Sequence, residues 1–401
     1  MCELRAGLDG PLDMKVLFVF STGRFDDPAV GSWLTLLDTL PSKGVEPLIV
    51  VPNDVDDYMA LEFDKRDIPW RKVFFTRWIL GDRDEDSLSH KLRRAVVRQV
   101  NNRADKAIGK LMDEWGAELL YICAGTICAG LAPARERDLP VVWHVHHFLR
   151  NEKAGDNFVE TDAHVGTMLA SADAIIASCK SIKTDIRGQF PGCRNIKVIY
   201  NGVPESRVYD KQHIFNGDDV VFTLTARFEQ NKRHIDALRA FEQVAPDYPE
   251  MRLRFVGTGD KKIISSLKGE AAASPVASQV EFTGYVDDIS EVWEDTDVAL
   301  NCSYSEGCSM AVGEAMTSGC LLLCSTAEGN VEIVDGSYGL LYERAKVQAL
   351  AAKMRWVMEN KQEAQRIAGE GKLRAAKIFS AQGQVDAVYK VFSSVAHGAA
   401  A

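Results

Sequence analysis

Apolar residues in this chain fall in short unbroken runs rather than in alternation. The runs are 15–20 (KVLFVF), 47–51 (PLIVV), 118–123 (ELLYIC), 140–145 (PVVWHV), 173–178 (DAIIAS) and 196–200 (IKVIY). They continue as 220–225 (VVFTLT), 251–256 (MRLRFV), 279–282 (QVEF), 297–301 (DVALN) and 320–324 (CLLLC). A strand with one wet face alternates apolar and polar positions, whereas an unbroken run suits a strand covered on both faces, as in a parallel sheet. Between the runs the spacing turns helical. Ile235, Leu238, Phe241 and Val244 share one face, and Val385, Val388, Phe392 and Val395 share another. Repeated strand–helix order predicts doubly wound α/β structure. Eleven runs are too many for one ordinary open sheet; six precede Asn201 and five follow it. The segment 201–219, polar and carrying Gly, Pro and Asn, reads as a linker. Two Rossmann-like domains are expected, 1–200 and 201–379, with about 380–401 packing back on the first.

Composition narrows the class. The 401 residues, 46% hydrophobic, hold more core than one domain normally uses. No stretch approaches 18 uninterrupted apolar residues, so no spanning helix is expected. The opening 1–13 carries Glu3, Arg5, Asp9 and Asp13 with no apolar centre, unlike a signal peptide. The nine cysteines, several inside apolar runs, read as buried free thiols in a reducing compartment, hence a cytoplasmic location. A net charge of −10 argues against nucleic-acid binding. The charge is uneven, however. Between 88 and 112, Lys91, Arg93, Arg94, Arg98, Arg103, Lys106 and Lys110 face only Asp105. Leu88, Leu92, Val96 and Val100 are spaced as a helical stripe, and Trp78 just before them suits a membrane–water interface. Two readings stand: peripheral contact of 88–112 with the inner face of a membrane, or a solvated helix whose stripe packs on the first sheet.

The candidate chemistry lies mainly in the second half. SEGCSMAVGEAMTSG (305–319) follows the run 297–301 directly and contains Glu306 and Glu314. A loop leaving a strand and entering a helix offers backbone N–H groups at the carboxyl edge of a sheet, where anions bind; Ser309, Met310, Ala311 and Val312 would supply them. ARFEQNK (226–232) follows another strand and carries Arg227 and Lys232, a fork and a point charge suited to a diphosphate. Gly257 and Gly259 in GTGD (257–260) permit close backbone approach to a ligand. Taken alone, each piece also reads as an ordinary surface carboxylate or solvated basic turn. The Asp-X-Asp pairs at Asp54/Asp56, Asp82/Asp84, Asp84/Asp86 and Asp295/Asp297 read as solvated acids rather than a metal set. Cys302, Cys308, Cys320 and Cys324 lack the paired short spacing of a zinc site. His144, His146 and His147 raise a metal reading, but in a strand His147 points away from the other two. No metal site is expected.

Taken together and in order, these motifs resemble family 4 of the glycosyltransferases, retaining enzymes of the GT-B fold. The matching segments are VIYNGV (198–203), ARFEQNK (226–232), FVGTGD (255–260), VEFTGYV (280–286), SEGCSMAVGEAM (305–316) and EGNVEIVDGSYGLLY (328–342). The resemblance implies two Rossmann-like domains facing across a cleft. It implies that Arg227 and Lys232 bind the donor diphosphate, Glu306 the transferred sugar and Glu314 the ribose, with Gly284 and Tyr285 bordering the base. In the first half, PVVWHVHHF (140–148) resembles the family's strand-end histidine motif and places His146 at its position. Three departures stand out. His147 replaces the acid expected after His146, Gly313 replaces a larger residue before Glu314, and the glycine-rich loop is reduced to PAVGSW (28–33), where Gly31 remains. The implied activity is metal-independent retaining transfer of a hexose from a UDP- or GDP-linked donor, with no further cofactor. The acceptor would be a glycan, a lipid-linked molecule or a small molecule, in polysaccharide or glycoconjugate biosynthesis. The rivals are a nucleotide-sugar epimerase of the same fold and a non-catalytic partner subunit.

Overall fold

The computed structural model describes residues 13–25, 30–80, 88–149 and 157–398. Every apolar run forms a strand. In the first part of the chain these are β1 (Met14–Phe20), β2 (Val45–Val51), β3 (Trp70–Lys72), β4 (Ile79–Leu80), β5 (Leu119–Cys123), β6 (Val141–Val145), β7 (Asn157–Phe158), β8 (Ala174–Ala177) and β9 (Ile196–Val198). The second part adds β10 (Val220–Thr225), β11 (Met251–Val256), β12 (Val280–Gly284), β13 (Val298–Asn301), β14 (Leu321–Ser325) and β15 (Leu340–Tyr342). Four short strands, β3, β4, β7 and β15, have no counterpart among the apolar runs. With two or three residues each, they are too brief to show a period.

The chain divides into two compact units, Met1–Ile199 with Gln384–Ala401, and Tyr200–Gly383. The first holds a seven-stranded sheet in the order β3-β2-β1-β5-β6-β8-β9, with β4 and β7 paired separately. The second holds a six-stranded sheet in the order β12-β11-β10-β13-β14-β15. Every ladder in both large sheets is parallel. In each sheet the order reverses beside the first strand, at β1/β5 and at β10/β13. Such switch points leave a crevice at the carboxyl ends of the strands, because the flanking helices depart to opposite faces.

The terminal helix, Ala381–Gly398, belongs to the first unit's core, where Val385, Val388, Phe392 and Val395 are buried. The Phe392 ring meets Tyr121 edge-on at 5.2 Å, and Gln384 Nε2 donates to Ser32 Oγ at 2.6 Å. Burying a phenylalanine of this kind contributes about 1.5–3 kcal/mol, which favours docking of this helix.

Three sequence expectations are corrected. The segment 201–219 is not a free linker, because its backbone is bonded into the second unit. Phe215 N donates to Asp297 Oδ1 at 2.6 Å, Ile214 N to Gln365 Oε1 at 2.7 Å, and Tyr209 N to Ser318 Oγ at 3.1 Å. Trp78 is not an interfacial residue. It is buried, stacks on Trp143 at 5.4 Å and donates Nε1 to the Gly125 carbonyl at 2.8 Å. The stripe on the helix Leu88–Trp115 does not pack on the sheet either. The buried row is Val97, Ala104, Ile108 and Met112, whereas Leu88, Leu92 and Val96 are exposed. A four-residue spacing identifies a stripe but does not say which stripe faces inward.

Candidate active site

The second unit brings Lys232 and Glu306 together at its switch point. Lys232 leaves the loop after β10 and Glu306 the loop after β13, and the two strands are neighbours. Lys232 Nζ lies 2.7 Å from Glu306 Oε2, with the side chains 20% and 12% exposed. The same oxygen accepts from Ser303 Oγ at 2.8 Å and Asn301 Nδ2 at 3.5 Å. Burial pushes the Glu306 carboxyl up, but the Lys232 charge and these hydrogen bonds outweigh it and hold the group below its ordinary range. Burial likewise opposes the Lys232 charge, and Glu306 more than restores it, so the ammonium is held above its ordinary value. Glu306 is therefore an ionised acceptor, and its other oxygen, Oε1, takes none of these bonds. Lys232 has two further N–H donors to offer a ligand.

Sequence reasoning missed the residues that fix this pair. Asn231 laces the two loops: its Nδ2 donates to the Ser305 carbonyl at 2.8 Å, and its Oδ1 accepts from Ser305 N at 3.1 Å. The Asn231 carbonyl also accepts from Tyr304 N at 2.8 Å. Behind Glu306, buried Asn330 donates Nδ2 to Asn301 Oδ1 at 3.1 Å, and Ser325 Oγ donates to the Ser303 carbonyl at 2.6 Å. Gly329 has no alternative. A Cβ there would lie 1.4 Å from the Gly307 carbonyl oxygen, and its own N–H donates to the Glu306 carbonyl at 2.9 Å. The signals were EQNK and EGN in the sequence, but an asparagine in a loop is too common to single out.

The helix Met310–Ser318 begins where expected, capped by Ser309, whose Oγ accepts from Val312 N at 3.4 Å. Amide N–H groups in a first turn have no intrahelical acceptor, so those of Met310 and Ala311 point from the helix start. Glu314, one turn on, is buried and paired with Arg207 Nε at 2.5 Å. Arg207 comes from the segment read as a linker. Gly313 has a packing reason: a Cβ there would come within 3.2 Å of Val203 Cγ2 and 3.4 Å of Phe379 Cδ1. Arg227 is exposed and makes no ion pair with another described residue.

Gly257 and Gly259 do permit close approach, but of the chain to itself. A Cβ at Gly257 would meet the Ala226 carbonyl at 2.3 Å and one at Gly259 would meet Phe228 N at 2.5 Å, with φ of 131° and 157°. Gly257 N donates to the Gly284 carbonyl at 2.7 Å, which ties the β12 end to the same edge; Tyr285 there is exposed.

In the first unit, His146 follows β6. Its Nε2 accepts from Trp33 Nε1 at 3.3 Å, and an indole N–H only donates, so the ring proton resides on Nδ1. The His144 ring lies 3.9 Å from that of His146, while His144 itself is buried against Tyr121. Burial, with Arg77 nearby, pushes His147 down to about 4, so it is neutral at physiological pH and is no substitute for an acid. Gly31 lies in the first turn of the helix Val30–Thr39, and Thr35 Oγ1 donates to its carbonyl at 2.9 Å. The residues just before it, 26–29, fall outside the described residues.

The Asp-X-Asp pairs are not merely solvated. Asp56 caps the helix Asp57–Asp64 through Met59 N at 2.8 Å, and Asp54 accepts from Thr22 Oγ1 and Gly23 N, both at 2.9 Å. Asp297 is buried, with both oxygens taken by backbone amides. Asp82, Asp84 and Asp86 fall outside the described residues. Among the described residues no three His, Cys, Asp or Glu side chains group as a metal site, and the eight cysteines are free.

The model of Glycosyl transferases group 1 matches residues 205–374, and that of Glycosyltransferase Family 4 matches residues 32–207. The glycogen synthase of Mycobacterium tuberculosis is 24% identical over 321 residues, spanning 78% of this chain and 75% of that protein. Among solved structures, Anabaena HepE in complex with UDP and glucose aligns with a TM-score of 0.74 at 17% identity, over 95% of this chain and 100% of that one. The lipopolysaccharide outer core galactosyltransferase WaaB aligns with a TM-score of 0.66 at 18% identity, over 94% of this chain and 99% of that one. Two adjoining family matches, laid on two Rossmann-ordered parallel sheets, make this chain a glycosyltransferase of group 1 with the GT-B fold.

Proposed function

We propose that this chain is a retaining, metal-independent hexosyltransferase that uses a UDP- or GDP-linked donor and a glycan, lipid-linked or small-molecule acceptor. The observation that carries this reading is the Lys232–Glu306 pair at the switch point of the second sheet, with exposed Arg227 on the same loop after β10 and the helix Met310–Ser318 starting just after Glu306. The remaining Lys232 N–H groups, the Arg227 fork and the helix N–H groups would together attract negative charge. They would hold the donor diphosphate and stabilise it as the bond to the sugar breaks. Glu306 Oε1 would accept from sugar hydroxyls and so fix the donor's orientation. In a front-face reaction the anomeric C–O bond to phosphate breaks as the acceptor oxygen bonds to the same face. The acceptor proton passes to the departing phosphate oxygen, and no enzyme nucleophile is needed. Glu314, held by Arg207, would present its second oxygen to the ribose hydroxyls, and Gly284 and Tyr285 would border the base. In the first unit, Gly31 and His146 are the candidate site residues by the family resemblance. UDP in the HepE structure and the glycosyltransferase names of the relatives support a nucleotide-sugar donor. Free, buried cysteines support a cytoplasmic site of action.

The test combines turnover with product stereochemistry. Nucleotide sugars are screened by thermal shift, and the stabilising donor is then offered with acceptors in excess chelator. Nucleotide release that depends on acceptor, with an α-linked product from an α-linked donor by proton NMR, is expected. An inverted product, a strict divalent-metal requirement, or epimerised donor without acceptor would overturn the proposal.

A further inference from the structure

The helix Leu88–Trp115 carries an exposed face that the core of its own unit does not use. Its inward side is settled: Val97, Ala104, Ile108 and Met112 are buried, and Asn101 Oδ1 accepts from Thr76 N at 2.9 Å. The one acid in the basic run also points inward, where Asp105 Oδ1 accepts from Gly130 N at 2.8 Å. Arg94 and Arg98 are bound to the β7 region. Arg94 Nη2 donates to the Phe158 carbonyl at 3.3 Å, and Arg98 Nε pairs with Glu160 at 2.6 Å.

What remains outward is mixed in a particular way. Leu88, Leu92 and Val96 are 84%, 66% and 52% exposed, an unusual density of bare aliphatic side chains on one short stretch. At about 100° per residue, Arg103, Lys106 and Lys110 fall in the same arc of roughly 80° as those three. Lys91 flanks the row. Lys91, Arg103 and Lys106 make no ion pair with any described residue, and Lys110 pairs only with Glu114 at 3.2 Å. The outward face therefore carries apolar groups at its beginning and cations along its length, with no acid before Asp113.

We propose that this face docks on an anionic phospholipid surface. Aliphatic side chains enter the boundary between headgroups and acyl chains, and long cationic side chains reach lipid phosphates from beside them. A soluble polyanion would use the cations and leave Leu88, Leu92 and Val96 in water. A second copy of the helix would set cations against cations. A lipid surface alone uses both parts. Binding is read without turnover, so this proposal and the transferase reading fail separately.

The experiment is co-sedimentation of the full chain with phosphatidylcholine vesicles, with and without phosphatidylglycerol. Wild type is expected to pellet with the anionic vesicles at low salt, to be released as salt rises and to stay in solution with phosphatidylcholine alone. Two variants change only exposed positions: Leu88→Ser/Leu92→Ser/Val96→Ser and Arg103→Glu/Lys106→Glu. Each is expected to weaken binding at least about tenfold, given that each cation near an anionic surface adds roughly 1 kcal/mol, with an unchanged melting temperature. Wild type remaining in the supernatant at low salt overturns the proposal. So does undiminished binding of both variants, which would place the contact elsewhere. A dimer by sedimentation velocity that the serine variant dissociates would assign the face to self-association instead.

Discussion

Lys232→Met tests the buried pair by leaving Glu306 without its cation. Glu306 stays largely buried and keeps only Ser303 and Asn301 as donors. A charge-assisted hydrogen bond is worth about 1.5–3 kcal/mol, and orphaning a buried charge costs about 3–5 kcal/mol. Two remaining donors and a partly wet carboxylate put the loss near 3 kcal/mol on these scales. For a unit the size of Tyr200–Gly383 this lowers the melting temperature by roughly 6–12 °C. The pH dependence should change sign. In the wild type the Glu306 carboxyl is held below its ordinary range, so its contribution is present above that range and is lost as pH falls through the depressed value. Without Lys232, burial dominates and the carboxyl titrates above its ordinary range. The variant's stability then falls as pH rises through that interval, because the native state binds more protons than the unfolded one. The double variant Lys232→Met/Glu306→Gln removes the orphaned charge and should be more stable than Lys232→Met alone. The assay is thermal and urea unfolding of the wild type, both single variants and the double variant between mildly acidic and neutral pH. A Lys232→Met melting temperature within the scatter of wild type would refute the reasoning, as would strictly additive losses in the double variant.

Two further outcomes follow from neighbouring observations. Arg227 is exposed and unpaired, so Arg227→Ala should leave the melting temperature unchanged while cutting turnover at saturating donor by at least about a hundredfold; steady-state kinetics decides it, and near-wild-type turnover removes Arg227 from the site. Burial, against the Gly130 hydrogen bond, pushes Asp105 up to about 6. The native state therefore favours its protonated form, and its contribution declines as pH rises from its ordinary value through about 6. Asp105→Asn keeps an acceptor for Gly130 N, so the stability of the variant relative to wild type should grow across that window; a constant difference would count against it.

Much of the scaffold was legible because burial on both faces leaves an unbroken apolar signature. The runs at 15–20 and 220–225 already mark the strand beside the switch point of each sheet, and the 3.6-residue spacing of Val385, Val388 and Phe392 marks the final helix. Lys232 and Glu306 were legible for a similar local reason, since each lies just beyond an apolar run, where a strand hands over to a helix. The partners that hold them were not. Asn231 reaches Ser305 across 74 positions of sequence, and Asn330 reaches Asn301 across 29. Hydrogen bonds of that reach leave no periodic trace. The same limit explains Arg207, hidden in a polar segment that carries no hydrophobic period yet reaches Glu314. It explains Trp78 as well, which composition suited to an interface and the fold buries, and the row Leu88, Leu92 and Val96, whose spacing left a packed and an exposed reading both open. Periodicity reports that an element has two faces. Which face turns inward is decided by the neighbours it packs against, and those are brought together only by the tertiary fold.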